Sequence, residues 1–395
     1  MTDSGMASPT GNEDTSHTTV ADLNRPAGAS TEETFHTLHV LDDADHPLVP
    51  DTDHTYIKRE VRDERTDVEL AAQFLADDEY ALLLTGETGV GKDRLITQLC
   101  ARTNRPLIRV NFGSGTTYAD LVGEYAPNET AEEARIAQVK QLADDHEMNP
   151  SDAAKLVGSE HAFSFSPGIL YQAVKYGWTF VADELNAAGP DATMPLHGLT
   201  ERNGQLVVKP TAEVLNPHPS FRFVGTMNPP RYAGTSPLND AFRSRFWELN
   251  LDYLSPEAER QLLYETTGLR HGVDREERIA ERLTELAATL RASYRDHDIA
   301  TPTSHRAIIK IGRLITEFEM APAQAAKQVF ETRATVEDRS AVGKQLTRRD
   351  GNKIRCNSLV RHLYRQYGSD LELETPRHSV SQRSDAGTCR RMHAC

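Results

Sequence analysis

Apolar residues fall along this chain in short continuous runs, separated by stretches in which they recur every three or four positions. The runs are "YALLLTG" (80–86), "PLIRVNF" (106–112), "WTFVADE" (178–184), "FRFVGTMN" (221–228) and "RFWELNL" (245–251). A run of this length without polar alternation is the pattern of a strand buried on both faces. Between the runs, "RLITQLCARTN" and residues 167–176 and 190–203 carry helical spacing. Strands alternating with helices predict an α/β fold, a parallel five-stranded sheet sandwiched by helices. From Ser255 the spacing is helical throughout, in "SPEAERQLLYETTG", "REERIAERLTELAATLRASYRD", "SHRAIIKIGRLITEFE" and "APAQAAKQVFETRA". That predicts a small all-α lid after the sheet.

Two segments break the alternation. Residues 126–160 are polar and charged, with a helix-like "TAEEARIAQVKQLADDHE", and form the centre of an insertion spanning about 113–165. Residues 204–216 predict a hairpin before the fourth strand. The expected organisation is a disordered acidic leader over 1–50, the α/β core over 51–253 and the helical lid over 254–335. Residues 336–395 are expected to be a helical extension and a disordered tail. The last stretch, 376–395, turns basic, loses periodicity and has a composition foreign to the rest. His36, His39, His46 and His54 lie among aspartates, but their spacing fits no standard metal site, so they are read as solvated.

Composition narrows the class. The 395 residues carry a net charge of −15, with 10 Lys against 34 Arg. An acidic, lysine-poor surface suits a protein adapted to high salt, where carboxylates hold hydration. It speaks against broad nucleic-acid binding, which needs concentrated Lys and Arg. The four cysteines, Cys100, Cys356, Cys389 and Cys395, form no CxxC pair, so a reduced, cytoplasmic protein is expected. The opening lacks the basic start and apolar centre of a signal peptide. No run approaches the ~20 apolar residues of a membrane span.

The chemistry concentrates in "GETGVGKD", which matches G-x-x-x-x-G-K from Gly86 to Lys92, follows a buried strand and opens a helix. Glycines let successive N–H groups turn toward a phosphate, the helix adds its positive end, and Lys92 supplies a mobile charge. The loop residues Gly86, Glu87, Thr88, Gly89, Val90, Gly91, Lys92, Asp93 and Arg94 are therefore candidates for nucleotide contact. Asp93 stands where a metal-ligating hydroxyl is usual; as a hard oxygen donor it is a candidate Mg²⁺ ligand. "TFVADE" offers Asp183, at the end of a strand expected beside the loop strand, to hold hydrated Mg²⁺, and Glu184 to polarise an attacking water. Asn228 ends the next run and can orient that water. Arg243 and Arg245 precede the fifth strand, where an arginine at a subunit edge can complete a neighbour's site. Arg306 opens a lid helix from which it can reach the same phosphates.

These elements, in this order, resemble an AAA+ ATPase with the P-loop NTPase fold. The phrases "VNFGSGTTYADLVGEY", "FSFSPGILYQAVKYGWTFVADELNAAGPDA", "LHGLTERNGQL" and "HPSFRFVGTMNPPRYAGTSPLNDAFRSRF" are similar to the MoxR-like branch, with its NorQ/CbbQ, CobS and GvpN-like members. The resemblance covers about residues 55–320 and neither tail. It implies that Gly86, Gly89, Gly91 and Lys92 bind phosphate, that Asp183 and Glu184 are the Walker B pair, Asn228 sensor 1 and Arg306 sensor 2. It makes Arg245 the first candidate for a trans-acting finger and Arg243 the second. ATP and Mg²⁺ are the implied cofactors. A hexameric ring is the implied assembly, and the client is a protein complex, with a von Willebrand factor A-domain protein as a frequent partner. The expected function is ATP-driven remodelling or activation, chaperone-like, including metal or cofactor insertion. Two alternatives stand beside it. One is a nucleotide-binding assembly module slowed by Asp93, and the other a nucleic-acid-linked member.

Overall fold

The computed structural model describes residues 24–52, 55–62, 64–77, 79–127, 129–145, 148–157, 163–229, 237–296 and 302–333. All five apolar runs are strands: Ala81–Thr85, Leu107–Asn111, Thr179–Asp183, Arg222–Met227 and Phe246–Asn250. They pair in parallel in one sheet. From edge to edge the order is Phe246–Asn250, Ala81–Thr85, Arg222–Met227, Thr179–Asp183, Leu107–Asn111. The strand ending in Asp183 is therefore not beside the loop strand, as the sequence suggested; Arg222–Met227 lies between them. Adjacency in a parallel sheet depends on which crossover passes over which face, and no single run encodes that.

Both faces are covered, which is why the runs do not alternate. Leu83, Phe180, Ala182, Phe223 and Phe246 point into one core against helices Ile169–Tyr176 and Pro190–Leu199. Their strand neighbours Leu82, Leu84, Val181, Val224 and Leu249 point into the other core, against helices Asp67–Ala76 and Lys92–Arg102. After the sheet come helices Pro256–Thr267, Asp274–Arg295, His305–Thr316 and Pro322–Arg333. They share a third core built on Leu263, Leu283, Ile308 and Ile311.

The leader is corrected over its described part. Ser30–Phe35 and Leu38–Leu41 form an antiparallel hairpin, and Leu38 and Leu41 are each 1% exposed. The segment before it is tied to the core, since Ala27 N–H donates to Tyr176 O at 2.7 Å and Trp178 Nε1 donates to Arg25 O at 3.1 Å. His46 is buried, with Nε2 2.9 Å from Arg25 O, so it is structural rather than solvated. His54 and residues 334–395 lie outside the described residues. The insertion holds helices Glu129–Asp145 and Pro150–Val157, flanked by an antiparallel pair, Gly123–Pro127 with Phe163–Pro167. A second hairpin, Leu206–Val208 with Glu213–Leu215, falls within 204–216.

Candidate nucleotide site

Because the five strands run the same way, their C-terminal ends share one edge of the sheet, the edge where parallel α/β sheets take ligands. Gly86 leaves the loop strand there, Asp183 ends its strand, and Asn228 follows Arg222–Met227. The loop needs its glycines. Gly86, Gly89 and Gly91 have φ of 144°, 78° and 102°. A Cβ on Gly86 would meet Leu251 O at 2.2 Å, and one on Gly89 would meet the lid residue Ser304 at 2.6 Å. Gly91 begins helix Lys92–Arg102 with no side-chain cap, which leaves its first-turn N–H groups aimed at an anion position. Arg59 braces the loop from behind, its Nη2 donating to Val90 O at 2.7 Å and its Nε lying 3.2 Å from the buried Asp67.

Lys92 is 7% exposed. Its Nζ donates to Gly86 O at 2.6 Å, Glu87 O at 3.1 Å and Asn228 Oδ1 at 2.9 Å. Burial pulls its pKa down to about 8, while the charges of Asp93, Asp183, Glu87 and Glu184 act the other way. Asn228 is a bridge. Its oxygen accepts from Lys92 and its Nδ2 donates to Glu184 Oε1 at 3.2 Å, so the two ends of one buried amide join the loop lysine to the candidate base. Asn186 Nδ2 holds the Asn228 carbonyl at 3.0 Å. Glu184 has left-handed backbone, φ 55°, and its N–H is tied to Thr226 Oγ1 at 3.2 Å. Strained backbone of this kind persists where neighbours fix it and is common at functional sites. The Thr226 hydroxyl also donates to Asp183.

The remaining candidates are dispersed. Val90 is buried in the core, Thr88 is exposed, and Arg94 turns away to donate to Thr55 Oγ1 at 2.6 Å. Asp93 lies 3.3 Å from Arg109 and 3.2 Å from Arg306. Arg245 and Arg243 are at the opposite end of the sheet: Arg245 O accepts from Ala81 N–H, at the start of the loop strand. Arg245 pairs with Glu201 at 3.1 Å and donates to His197 O at 2.7 Å, and Arg243 forms a two-pronged pair with Glu248. Neither can serve this chain's own loop.

Sequence reasoning passed over Arg59, Arg109 and a buried joint between the lid helices. Arg109 had one signal, a charge in the middle of the apolar run "PLIRVNF". In the joint, Glu259 pairs with Arg291 at 2.5 and 3.1 Å and lies 3.2 Å from His305 Nε2, which accepts from Leu254 N–H at 3.3 Å. Arg291 also covers the Tyr253 ring, 3.9 Å from its centroid. Burial drives His305 well below its ordinary pKa and raises Glu259.

The donor set fits a Mg²⁺–nucleotide rather than a protein-caged metal. Among the described residues no group of three or more His, Cys, Asp and Glu could hold an ion. Mg²⁺ in phosphate chemistry is held by one or two carboxylates together with phosphate oxygens, and Asp183 offers one at this edge, whereas each Asp93 oxygen lies within 3.3 Å of an arginine.

Residues 81–154 and 145–246 match the AAA domain family, dynein-related subfamily. Midasin of Dictyostelium discoideum is 32% identical over 193 residues, which is 49% of this chain and 3% of midasin. Aerobic cobaltochelatase subunit CobS of Sinorhizobium sp is 27% identical over 66% of this chain and 71% of its own. Protein CbbQ of Hydrogenophilus thermoluteolus is 26% identical over 60% of this chain and 74% of its own. The family match spans the stretch that builds the sheet edge, and over that stretch the chain is similar to the MoxR-like AAA+ proteins, CobS and CbbQ among them.

Proposed function

We propose that the chain binds ATP with Mg²⁺ at this edge and uses its hydrolysis, as a homo-oligomeric ring of six, to remodel or activate a partner protein complex. The observation that carries the hydrolytic reading is the Lys92–Asn228–Glu184 bridge. A group that only bound phosphate would need Lys92 and the loop amides. Glu184, held by the amide that also touches Lys92, adds a base set beside the phosphate position. Glu184 polarises and takes the proton of the attacking water, Asn228 orients that water, and Lys92 with the loop N–H groups stabilises charge on the phosphoryl oxygens. Mg²⁺, when bound through Asp183, neutralises phosphate charge. Arg245 or Arg243 of a neighbouring subunit supplies the remaining positive charge.

The relatives named as a cobaltochelatase subunit and as CbbQ support a protein-complex client, and metal insertion with a von Willebrand factor A-domain partner is the finer form of this reading. The insertion hairpin favours protein contact, since Tyr125 and Phe163 stand 53% and 63% exposed on it. No described helix is long and apolar enough to cross a membrane, and a cytoplasmic, salt-adapted protein accords with the acidic composition. A second reading, an assembly module with little turnover, rests on Asp93 alone.

Steady-state ATP hydrolysis with Mg²⁺ tests the proposal. Glu184→Gln should lose at least ~10²-fold in kcat, the scale of a general base, while still binding nucleotide. Wild-type turnover no faster than Glu184→Gln, with Asp93→Thr gaining activity, would establish the assembly module instead.

A further inference from the structure

Asp93, the residue that departs from the usual loop pattern, has each carboxylate oxygen committed to a different arginine. Oδ1 lies 3.3 Å from Arg109 Nη1, and Oδ2 lies 3.2 Å from Arg306 Nη2. Arg109 Nη2 also donates to the Asp93 carbonyl at 3.2 Å. Arg109 belongs to the edge strand Leu107–Asn111, Asp93 to the first turn of the loop helix, and Arg306 to the first turn of lid helix His305–Thr316. A line of alternating charge, plus–minus–plus, therefore runs from the sheet through the loop helix into the lid.

The line answers an electrostatic problem that Asp93 sets. A carboxylate at position 93 adds to the charges of Glu87, Asp183 and Glu184 around Lys92, where a triphosphate must also sit. Like charges disfavour one another, so an uncompensated Asp93 would oppose the ligand. Two guanidiniums offset it. They also fix which way the carboxylate faces. The geometry assigns Arg109 as a positioning residue for the nucleotide reaction: through Asp93 it holds Arg306, and with it the lid helix, at the phosphate loop. The assignment rests on the ATP reading above. Arg306 is 66% exposed, so water screens its pair and the line adds little to global stability. Its effect falls on lid orientation and ligand charge balance.

Two measurements on the full chain test it. Without nucleotide, amide hydrogen exchange across residues 302–316 should quicken by about tenfold or less in Arg109→Gln and in Asp93→Asn, and the double variant should be no faster than either, as coupled residues behave. With Mg²⁺, binding of a non-hydrolysable ATP analogue should weaken about tenfold in Arg109→Gln, and adding Asp93→Asn should bring it back to within about threefold of wild type, because the exposed charge is gone. The Mg²⁺ concentration for half-maximal binding should match wild type in Asp93→Asn. Unchanged exchange in Arg109→Gln, additive exchange in the double variant or no recovery of affinity would overturn the assignment. A tenfold greater Mg²⁺ requirement in Asp93→Asn would do the same by making Asp93 a metal ligand. If wild type binds no nucleotide, the ATP reading falls, and the exchange result is read without it.

Discussion

Lys92 sets the most direct test at the scale of one residue. Its ammonium is enclosed by two loop carbonyls and the Asn228 oxygen, and burial lowers its pKa to about 8. Phosphate binds the charged form, so affinity should stay level below pH 8 and fall above it, approaching about tenfold per pH unit, since a factor of ten is about 1.4 kcal/mol. The sign follows from the direction of the shift: an ordinary lysine would keep its charge to beyond pH 10. Titrating nucleotide affinity between about pH 7 and 9.5 checks this. A flat profile in wild type would mean that Lys92 is not the phosphate contact. Lys92→Arg should bind more weakly but without the alkaline fall, because a guanidinium does not lose its proton there.

At the scale of elements, three lid helices are joined to one another by the buried Glu259–Arg291–His305 cluster rather than by apolar packing alone. Arg291 is 6% exposed, and removing its carboxylate leaves a buried charge without its pair. Glu259→Ala should therefore cost about 3–5 kcal/mol in chemical denaturation, well beyond the loss from breaking an exposed pair such as Arg260–Glu257. A loss for Glu259→Ala no larger than for the surface pair would show that the joint is not what holds the lid. The cluster also marks the limit of what the sequence made legible. Five buried strands, the phosphate loop and the lid helices were readable, because burial on both faces and helical periodicity leave one-dimensional patterns. The Glu259 joint was not, since its members lie 32 and 46 positions apart in the chain (291 − 259 and 305 − 259) and each alone resembles a surface residue. The leader hairpin hid for a related reason: "STEETF" is mostly exposed in the fold, with Phe35 partly buried, and the partner strand's Leu38, Val40 and Leu41 supply the buried positions. The site was legible as a set of residues but not as a network. The Asn228 bridge depends on a strand order that places Arg222–Met227 between the loop strand Ala81–Thr85 and the strand ending in Asp183.

At the scale of the whole molecule, the sheet separates two halves of the chemistry. Lys92, Glu184 and Asn228 gather at its C-terminal edge, while Arg245 and Arg243 sit at the N-terminal end of the edge strand, with Arg245 O bonded to the first residue of the loop strand. One subunit cannot close that distance, so a complete site under the proposed ring combines a loop from one chain with an arginine from the next. Both are held by carboxylates, Arg245 by Glu201 together with His197 O and Arg243 by a two-pronged pair with Glu248, and Arg245 is tested first. Arg245→Ala alone should lose on the order of 10³-fold in turnover, the scale of an arginine supplied in trans, with nucleotide affinity nearly unchanged. Glu184→Gln should be equally inactive for a different reason. Mixing the two inactive variants creates interfaces in which the Arg245→Ala subunit contributes an intact loop and Glu184 while its Glu184→Gln neighbour contributes Arg245. Turnover should then return to a sizeable fraction of wild type and vary with the mixing ratio, peaking near equal amounts. Mixtures as inactive as their components, at concentrations where light scattering shows shared rings, would remove Arg245 from the neighbour's site. The same mixture made with Arg243→Ala would then decide whether the second arginine takes that place.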